Sequence, residues 1–171
     1  MLPGFGGGAD QPLLVRLAQA LADRRIDSTR AELPRGRPSP GLWREVEQAR
    51  AHLDASPNVG AYVGRSFGGR VLARLALERL PLAVVLLGFP VRSATGKRRL
   101  EDERVLAQLA CPTLIVQGSA DPLGPVRTLQ RLARKNPRLV LEVISGASHA
   151  FGRREWQAIH AAADWLALRL R

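Results

Sequence analysis

Apolar positions along this chain switch repeatedly between a helical and a strand-like period. Leu13, Leu14, Leu17, Ala18 and Leu21 recur at helical spacing opposite Arg16 and Asp23. That pattern predicts an amphipathic helix over residues 11–24, with Asp10 as N-cap and Pro12 tolerated in the first turn. Ile26–Leu33 follows where a strand is expected, yet it carries Asp27, Ser28, Thr29, Arg30 and Glu32. A strand covered on both faces reads as a near-continuous apolar run. This segment therefore belongs at a sheet edge or outside the sheet.

Pro34–Gly41 is a loop rich in Pro, Gly and Arg, and Ser39-Pro40 opens a second helix with Leu42, Val46, Ala49 and Leu53 on one face. Ser56-Pro57-Asn58 breaks it before a strand at Val59–Val63. Val71, Leu72, Leu75 and Ala76 then resume helical spacing, and Leu82–Phe89 is an apolar strand. Val91–Glu103 is a polar, basic connection, leading to a short helix near Glu103–Leu109 and a strand at Thr113–Gln117. Pro125–Lys135 is a helix stopped by Asn136-Pro137, and Arg138–Ile144 is a last strand. A closing helix from about Arg154 carries Trp156, Ile159, Ala163, Leu166 and Leu170 on one stripe. Strands alternating with helices predict an α/β sandwich around a mostly parallel sheet. Without internal repeats or a linker, residues 1–171 are expected to form one domain.

One junction carries a chemical signature. Between the strand at Val59–Val63 and the next helix stands Gly64-Arg65-Ser66-Phe67-Gly68-Gly69. A G-x-S-x-G between strand and helix is the pattern of a nucleophile elbow. So sharp a turn puts Ser66 in a strained conformation and needs neighbours without side chains. It also pushes the hydroxyl above the sheet, at the positive end of the following helix.

A serine hydroxyl is a poor nucleophile without a base, and the base works best when a carboxylate orients it. Asp121 lies in Gly118-Ser119-Ala120-Asp121-Pro122, just beyond one strand, and His149 in Ser145-Gly146-Ala147-Ser148-His149, just beyond another. In a parallel sheet both loops share an edge with Ser66. The chain order Ser66, Asp121, His149 is the one used by the α/β-hydrolase fold. His52 and His160 fall within helices and read as structural or solvent-facing. Cys111 precedes a proline at a strand start and reads as a small buried residue.

Composition narrows the function classes. Hydrophobic residues make up 46% and charged residues 24% of the chain, values ordinary for a globular protein. No apolar run reaches the ~20 residues of a membrane span, and no secretory signal is expected. One cysteine cannot form an internal disulfide, which suits the cytoplasm. The net charge is +11, nearly all of it arginine scattered along the chain, densest around Arg92 and Lys97-Arg98-Arg99. With aromatics at 5%, the charge predicts weak, salt-sensitive attraction to polyanions and no specific nucleic-acid site. No CxxC or HExxH spacing suggests a metal, and Gly4–Gly8 lacks the Lys-Ser/Thr of a phosphate-binding loop. No cofactor is expected.

The combination of G-R-S-x-G-G-R, V-Q-G-x-x-D-P-L-G and S-H-x-F resembles the small dienelactone-hydrolase-like branch of the α/β-hydrolase superfamily. Within it the chain is similar to the hydrolase-like domain of testis-expressed and NSL-complex-subunit type. The resemblance runs from Pro3 to the last helix and implies Ser66 as nucleophile, Asp121 as acid and His149 as base. It also implies the amides of Phe67 and Phe5 as oxyanion donors, Phe5 lying in a loop that usually begins His-Gly and here begins Pro3-Gly4. Dienelactone hydrolases have cysteine where this chain has Ser66, and only Met1-Leu2 stands where their strand into the oxyanion loop would run.

The function expected is therefore a serine hydrolase acting on a small-molecule ester, with an open, lidless site. The alternative is a catalytically weak or inactive hydrolase-fold interaction module. Met1-Leu2 is expected to be too short to pair with its neighbours. An exposed sheet edge would follow, a route to a homodimer, together with a poorly held oxyanion loop.

Overall fold

The computed structural model describes residues 1–56 and 58–170. Its centre is a parallel sheet of β1 (Ala61–Arg65), β2 (Ala83–Leu87), β3 (Thr113–Gly118) and β4 (Leu139–Ile144), in the order β1-β2-β3-β4. Around it lie α1 (Pro12–Ala22), α2 (Trp43–Asp54), α3 (Phe67–Glu78), α4 (Leu100–Gln108), α5 (Val126–Lys135) and α6 (Glu155–Ala167). Crossovers between parallel strands are right-handed. Because the strands here advance in one direction, those crossovers place α3, α4 and α5 on the same face. α2 joins them, and α1 and α6 pair across the other face.

Side-chain alternation along the strands divides the core accordingly. Tyr62, Val84, Leu86 and Ile115 point toward α2–α5, while Val63, Val85, Leu87, Leu114 and Val116 point toward α1 and α6. β2 is buried at every position, as a strand covered on both faces must be. β4, at the edge, buries Leu139 and Ile144 and leaves Val140 exposed. Leu14, Leu17 and Leu21 of α1 are sealed against the sheet, each stabilising the fold by about 1.5–3 kcal/mol relative to exposure.

Several boundaries differ from the sequence-based expectation. α1 begins behind Gln11 rather than Asp10, with no side-chain cap, because the Gln11 carboxamide turns away to accept a hydrogen bond from Gly4 N–H at 2.9 Å. A short 3₁₀ turn at Pro40–Leu42 precedes α2, which ends at Asp54. Of the break expected at Ser56-Pro57-Asn58, Pro57 lies outside the described residues. α4 starts earlier than expected, at Leu100, so that Glu101, Asp102 and Glu103 fill its first turn, where carboxylates favour the helix dipole. Trp156 does not join the apolar stripe of α6; it is exposed, and Ala158 and Ala162 are buried instead.

Ile26–Leu33 forms no strand. It runs beside the N-terminus, where the Met1 amine donates to Thr29 O (2.6 Å) and Ala31 N–H to Met1 O (3.0 Å). Contrary to the expectation that Met1-Leu2 is too short to pair, Leu2 bridges Gly64 in parallel. Leu2 N–H donates to Val63 O (2.9 Å), and Arg65 N–H to Leu2 O (3.0 Å). Earlier along β1 the edge at Ala61–Tyr62 faces no strand among the described residues. It borders a groove of about 580 Å³ lined by Leu21, Ile26, Val59, Leu166 and Leu170. No helix among the described residues is long and apolar enough to cross a membrane.

Candidate active site

Ser66 follows β1 directly and stands at φ 48°, ψ −106°, outside the regions open to ordinary residues. The surroundings hold it there. Its N–H donates to Leu87 O (2.9 Å), and its carbonyl accepts from Arg70 N–H (3.2 Å) at the start of α3. A Cβ at Gly64 would collide with the backbone of Gly69, and one at Gly68 would lie 2.5 Å from Pro3 O. The turn therefore tolerates glycine alone at those two positions, as the sequence pattern requires.

The loops after β3 and β4 converge on this turn. His149 Nε2 is 2.9 Å from Ser66 Oγ, and His149 Nδ1 is 2.7 Å from Asp121 Oδ2. The loops are also tied to each other: Ala120 N–H donates to Ala147 O (2.9 Å) and Gly146 N–H to Ser119 Oγ (2.7 Å). The carboxylate of Asp121 cannot donate when ionised, so the Nδ1 proton faces it and Nε2 is left to accept from Ser66 Oγ–H.

Asp121 is 3% exposed. Burial pushes its carboxyl pKa up, but four opposing influences outweigh it and hold the pKa below the usual carboxylate range. They are the hydrogen bond from His149, the attraction of that imidazole when protonated, the Leu123 amide at 2.8 Å and the Gln117 carboxamide at 2.5 Å. Asp121 is thus an anion aimed at Nδ1.

The oxyanion candidates share the same cavity. Phe5 and Phe67 both line it with Ser66 and His149, their rings edge to face at 5.7 Å. The loop bearing Phe5 is held more firmly than its length suggested. Gly68 N–H donates to Pro3 O (2.9 Å) and Gly4 N–H to Gln11 Oε1 (2.9 Å), just after the Leu2 bridge to β1. The expectation of a loose loop is therefore corrected: four hydrogen bonds hold this end of the chain in place.

The sequence matches the α/β-hydrolase domain family over residues 3–167. The chain belongs to that family. Among solved structures it is similar to Est1E from Butyrivibrio proteoclasticus with ferulic acid bound, at TM-score 0.83 and 16% identity, covering 99% of this chain and 87% of that one. An α/β serine hydrolase homologue from Coxiella burnetii aligns at TM-score 0.77 and 21% identity, over 96% and 83%. A dienelactone hydrolase from Anabaena variabilis aligns at 0.74 and 20%, over 99% and 86%. No curated protein matches the sequence.

Two residues of this α/β-hydrolase site were not singled out by sequence reasoning. Gln117, which follows the apolar run Leu114–Val116 in β3, is fully buried and bridges Asp121 Oδ2 to Phe89 N–H. Arg65, beside Ser66 in the turn, is buried against His149. A buried polar residue at the carboxyl end of an apolar strand was the available signal in both cases. His52 is half-buried in α2 and His160 exposed on α6, both away from the site, and Cys111 is buried. Among the described residues no group of His, Cys, Asp and Glu is arranged to hold a metal.

Proposed function

We propose that this protein is a serine hydrolase cleaving a small carboxylic ester through an acyl-enzyme. The hydrogen-bonded line from Asp121 through His149 to Ser66 carries the reading. Ser66 Oγ attacks the ester carbonyl while His149 Nε2 takes its proton. The tetrahedral intermediate then collapses, and the same proton passes to the departing alcohol. Water, deprotonated in turn by His149, attacks the acyl-enzyme, and the proton returns to Ser66 as the carboxylic acid leaves. Asp121 keeps Nδ1 protonated and stabilises the imidazolium formed in each half-reaction.

The amides of Phe67 and Phe5 are the proposed oxyanion donors, each worth about 3 kcal/mol in a well-formed site. Phe67 N–H opens α3, where the helix dipole adds to its effect. The His149 side chain is 26% exposed, so the site is open, which favours small, accessible esters over a fully enclosed substrate. A place in the dienelactone-hydrolase-like branch and a cytoplasmic setting, suited to the lone buried Cys111, complete the proposal.

Covalent labelling by a fluorophosphonate probe tests it. Label mapped to Ser66 and abolished in Ser66→Ala is the expected result. Label persisting in that variant, or mapped to another serine, overturns the assignment.

A further inference from the structure

The cavity over Ser66, about 510 Å³, has four arginines in its wall and no aspartate or glutamate. Two of the four are already engaged. Arg65 donates to the carbonyls of Leu87 and His149, and Arg70 shares Asp102 with Arg74. Arg92 and Arg99 have no carboxylate partner among the described residues. The acids nearest in sequence serve other cations: Glu103 binds Arg98 and Arg131, and Glu101 binds Arg104.

Their placement is built rather than incidental. Val91–Arg99 doubles back on itself, with Arg99 N–H donating to Val91 O (2.8 Å) and Ser93 N–H to Lys97 O (2.8 Å). Arg99 Nε donates to Arg92 O (3.2 Å), which sets the two residues side by side. Arg92 N–H in turn donates to Leu123 O (2.8 Å), fastening the turn to the loop that carries Asp121. Both side chains line the same cavity without a carboxylate partner among the described residues, and an entering anion supplies that counter-charge. Guanidinium forks match carboxylate and phosphate oxygens in geometry as well as charge.

We propose that Arg92 and Arg99 form an anion subsite, so that the ester cleaved at Ser66 carries a carboxylate or phosphate group at one end. This rests on the serine-hydrolase reading for its chemistry, though not for its binding. Anion binding there draws the ester toward Ser66 and orients its carbonyl, lowering the entropic cost of attack.

Three ester pairs separate the possible sources of the charge. 4-Acetoxybenzoate against its methyl ester places a carboxylate on the alcohol side, and 4-acetoxyphenyl phosphate against phenyl acetate places a phosphate there. Mono-4-nitrophenyl suberate against 4-nitrophenyl octanoate places a carboxylate on the acyl side. In at least one pair kcat/KM is expected to favour the charged ester tenfold or more at low salt, with the preference shrinking as salt rises. Arg92→Gln with Arg99→Gln is expected to cut that ratio at least tenfold. A ratio unchanged by the double substitution in all three pairs overturns the proposal.

Binding is measured separately in Ser66→Ala by NMR titration with 4-hydroxybenzoate and with phenyl phosphate. Saturable shifts at Arg92 and Arg99, lost in the double variant, support the subsite. No saturable binding of either anion sinks it. If no ester is turned over, the serine-hydrolase reading fails, and the titration alone decides the subsite.

Discussion

Arg65 Nη2 donates to the main-chain carbonyl of His149 at 2.5 Å, while Nη1 stands 3.4 Å from His149 Nε2 and 3.2 Å from Leu87 O. One side chain thus joins the turn that carries Ser66, the end of β2 and the loop that carries His149. Its guanidinium lies over the Phe151 ring at 5.6 Å and is only 6% exposed. Burial lowers its pKa, against the pull of Asp121 and Glu155. These contacts place Arg65 where it is expected to hold the imidazole relative to Ser66, the role of a positioning residue.

Arg65→Gln is accordingly expected to lower kcat by about 100-fold, the cost of a misplaced reacting group, with KM changed less than twofold. Arg65→Lys should not restore it, because one ammonium cannot span Leu87 O and His149 O as the planar fork does. Steady-state kinetics on any hydrolysed ester check this, with a melting curve recorded alongside. An equal rise in KM, or full rescue by lysine, removes Arg65 from the role.

Asp102 is 1% exposed and faces two cations, Arg70 Nε at 2.8 Å and Arg74 Nη1 at 2.7 Å. Asp102→Asn keeps the shape and leaves two largely buried guanidinium groups unpaired. Breaking a buried pair in this way costs about 3 kcal/mol or more. Urea unfolding should show the loss as a lower midpoint, and an unchanged midpoint would mean that solvent already compensates Arg70 and Arg74.

The Met1 amine has its pKa lowered from 8.0 to about 6, first by burial and then by the charge of Arg30. A depressed pKa means that the unfolded chain takes up a proton between pH 8 and pH 6 that the folded chain refuses. Stability is therefore expected to be fully present above pH 8 and to fall as the pH drops through 6. Acetylating the N-terminus removes the titration. The difference in unfolding midpoint between pH 8.5 and pH 6 should then be smaller in the acetylated protein, and identical differences in both forms would refute the link.

The groove beside Ala61–Val63 is mostly apolar, with Asp27, Thr29 and Asn58 also in its wall, and the β1 edge at Ala61–Tyr62 faces no strand among the described residues. A chain given about six to ten additional apolar residues ahead of Met1, an ordinary strand length, is expected to fill it and pair with β1. The extended chain should melt higher and turn over ester faster, because the loop bearing Phe5 gains a full strand behind it. Size-exclusion chromatography distinguishes the other route, in which two copies cover the edge together. Equal melting temperature, turnover and oligomeric state in both chains would show that the Leu2 bridge already suffices.

Most of the layered fold was legible in local pattern. The apolar run at Ala83–Leu87 and the helical stripes of α1, α2 and α3 each follow from burial of one face, a property neighbouring residues determine among themselves. Ser66, Asp121 and His149 were legible for a related reason. Each directly follows or closely trails a strand, and parallel strands deliver their carboxyl ends to one edge whatever their order. Gly64 and Gly68 declared the sharp turn because only glycine leaves room for it.

Contacts between segments distant in the chain were decided by the tertiary structure alone. That Leu2 would be held by Val63 and Arg65 depends on backbone groups that every residue possesses, so no residue type announces it, and the Gln11 carboxamide finds Gly4 only once the loop has folded back. Trp156 fits the helical period of α6 yet faces outward, because the sheet meets the small faces of Ala158 and Ala162. Arg65, Arg92 and Arg99 are three arginines among many in a chain of net charge +11. Only the packing of β1 against the His149 loop, and the doubling back of Val91–Arg99 above it, separates them from the solvated rest. Composition supplies the charge, and three-dimensional proximity decides which charges lack a partner.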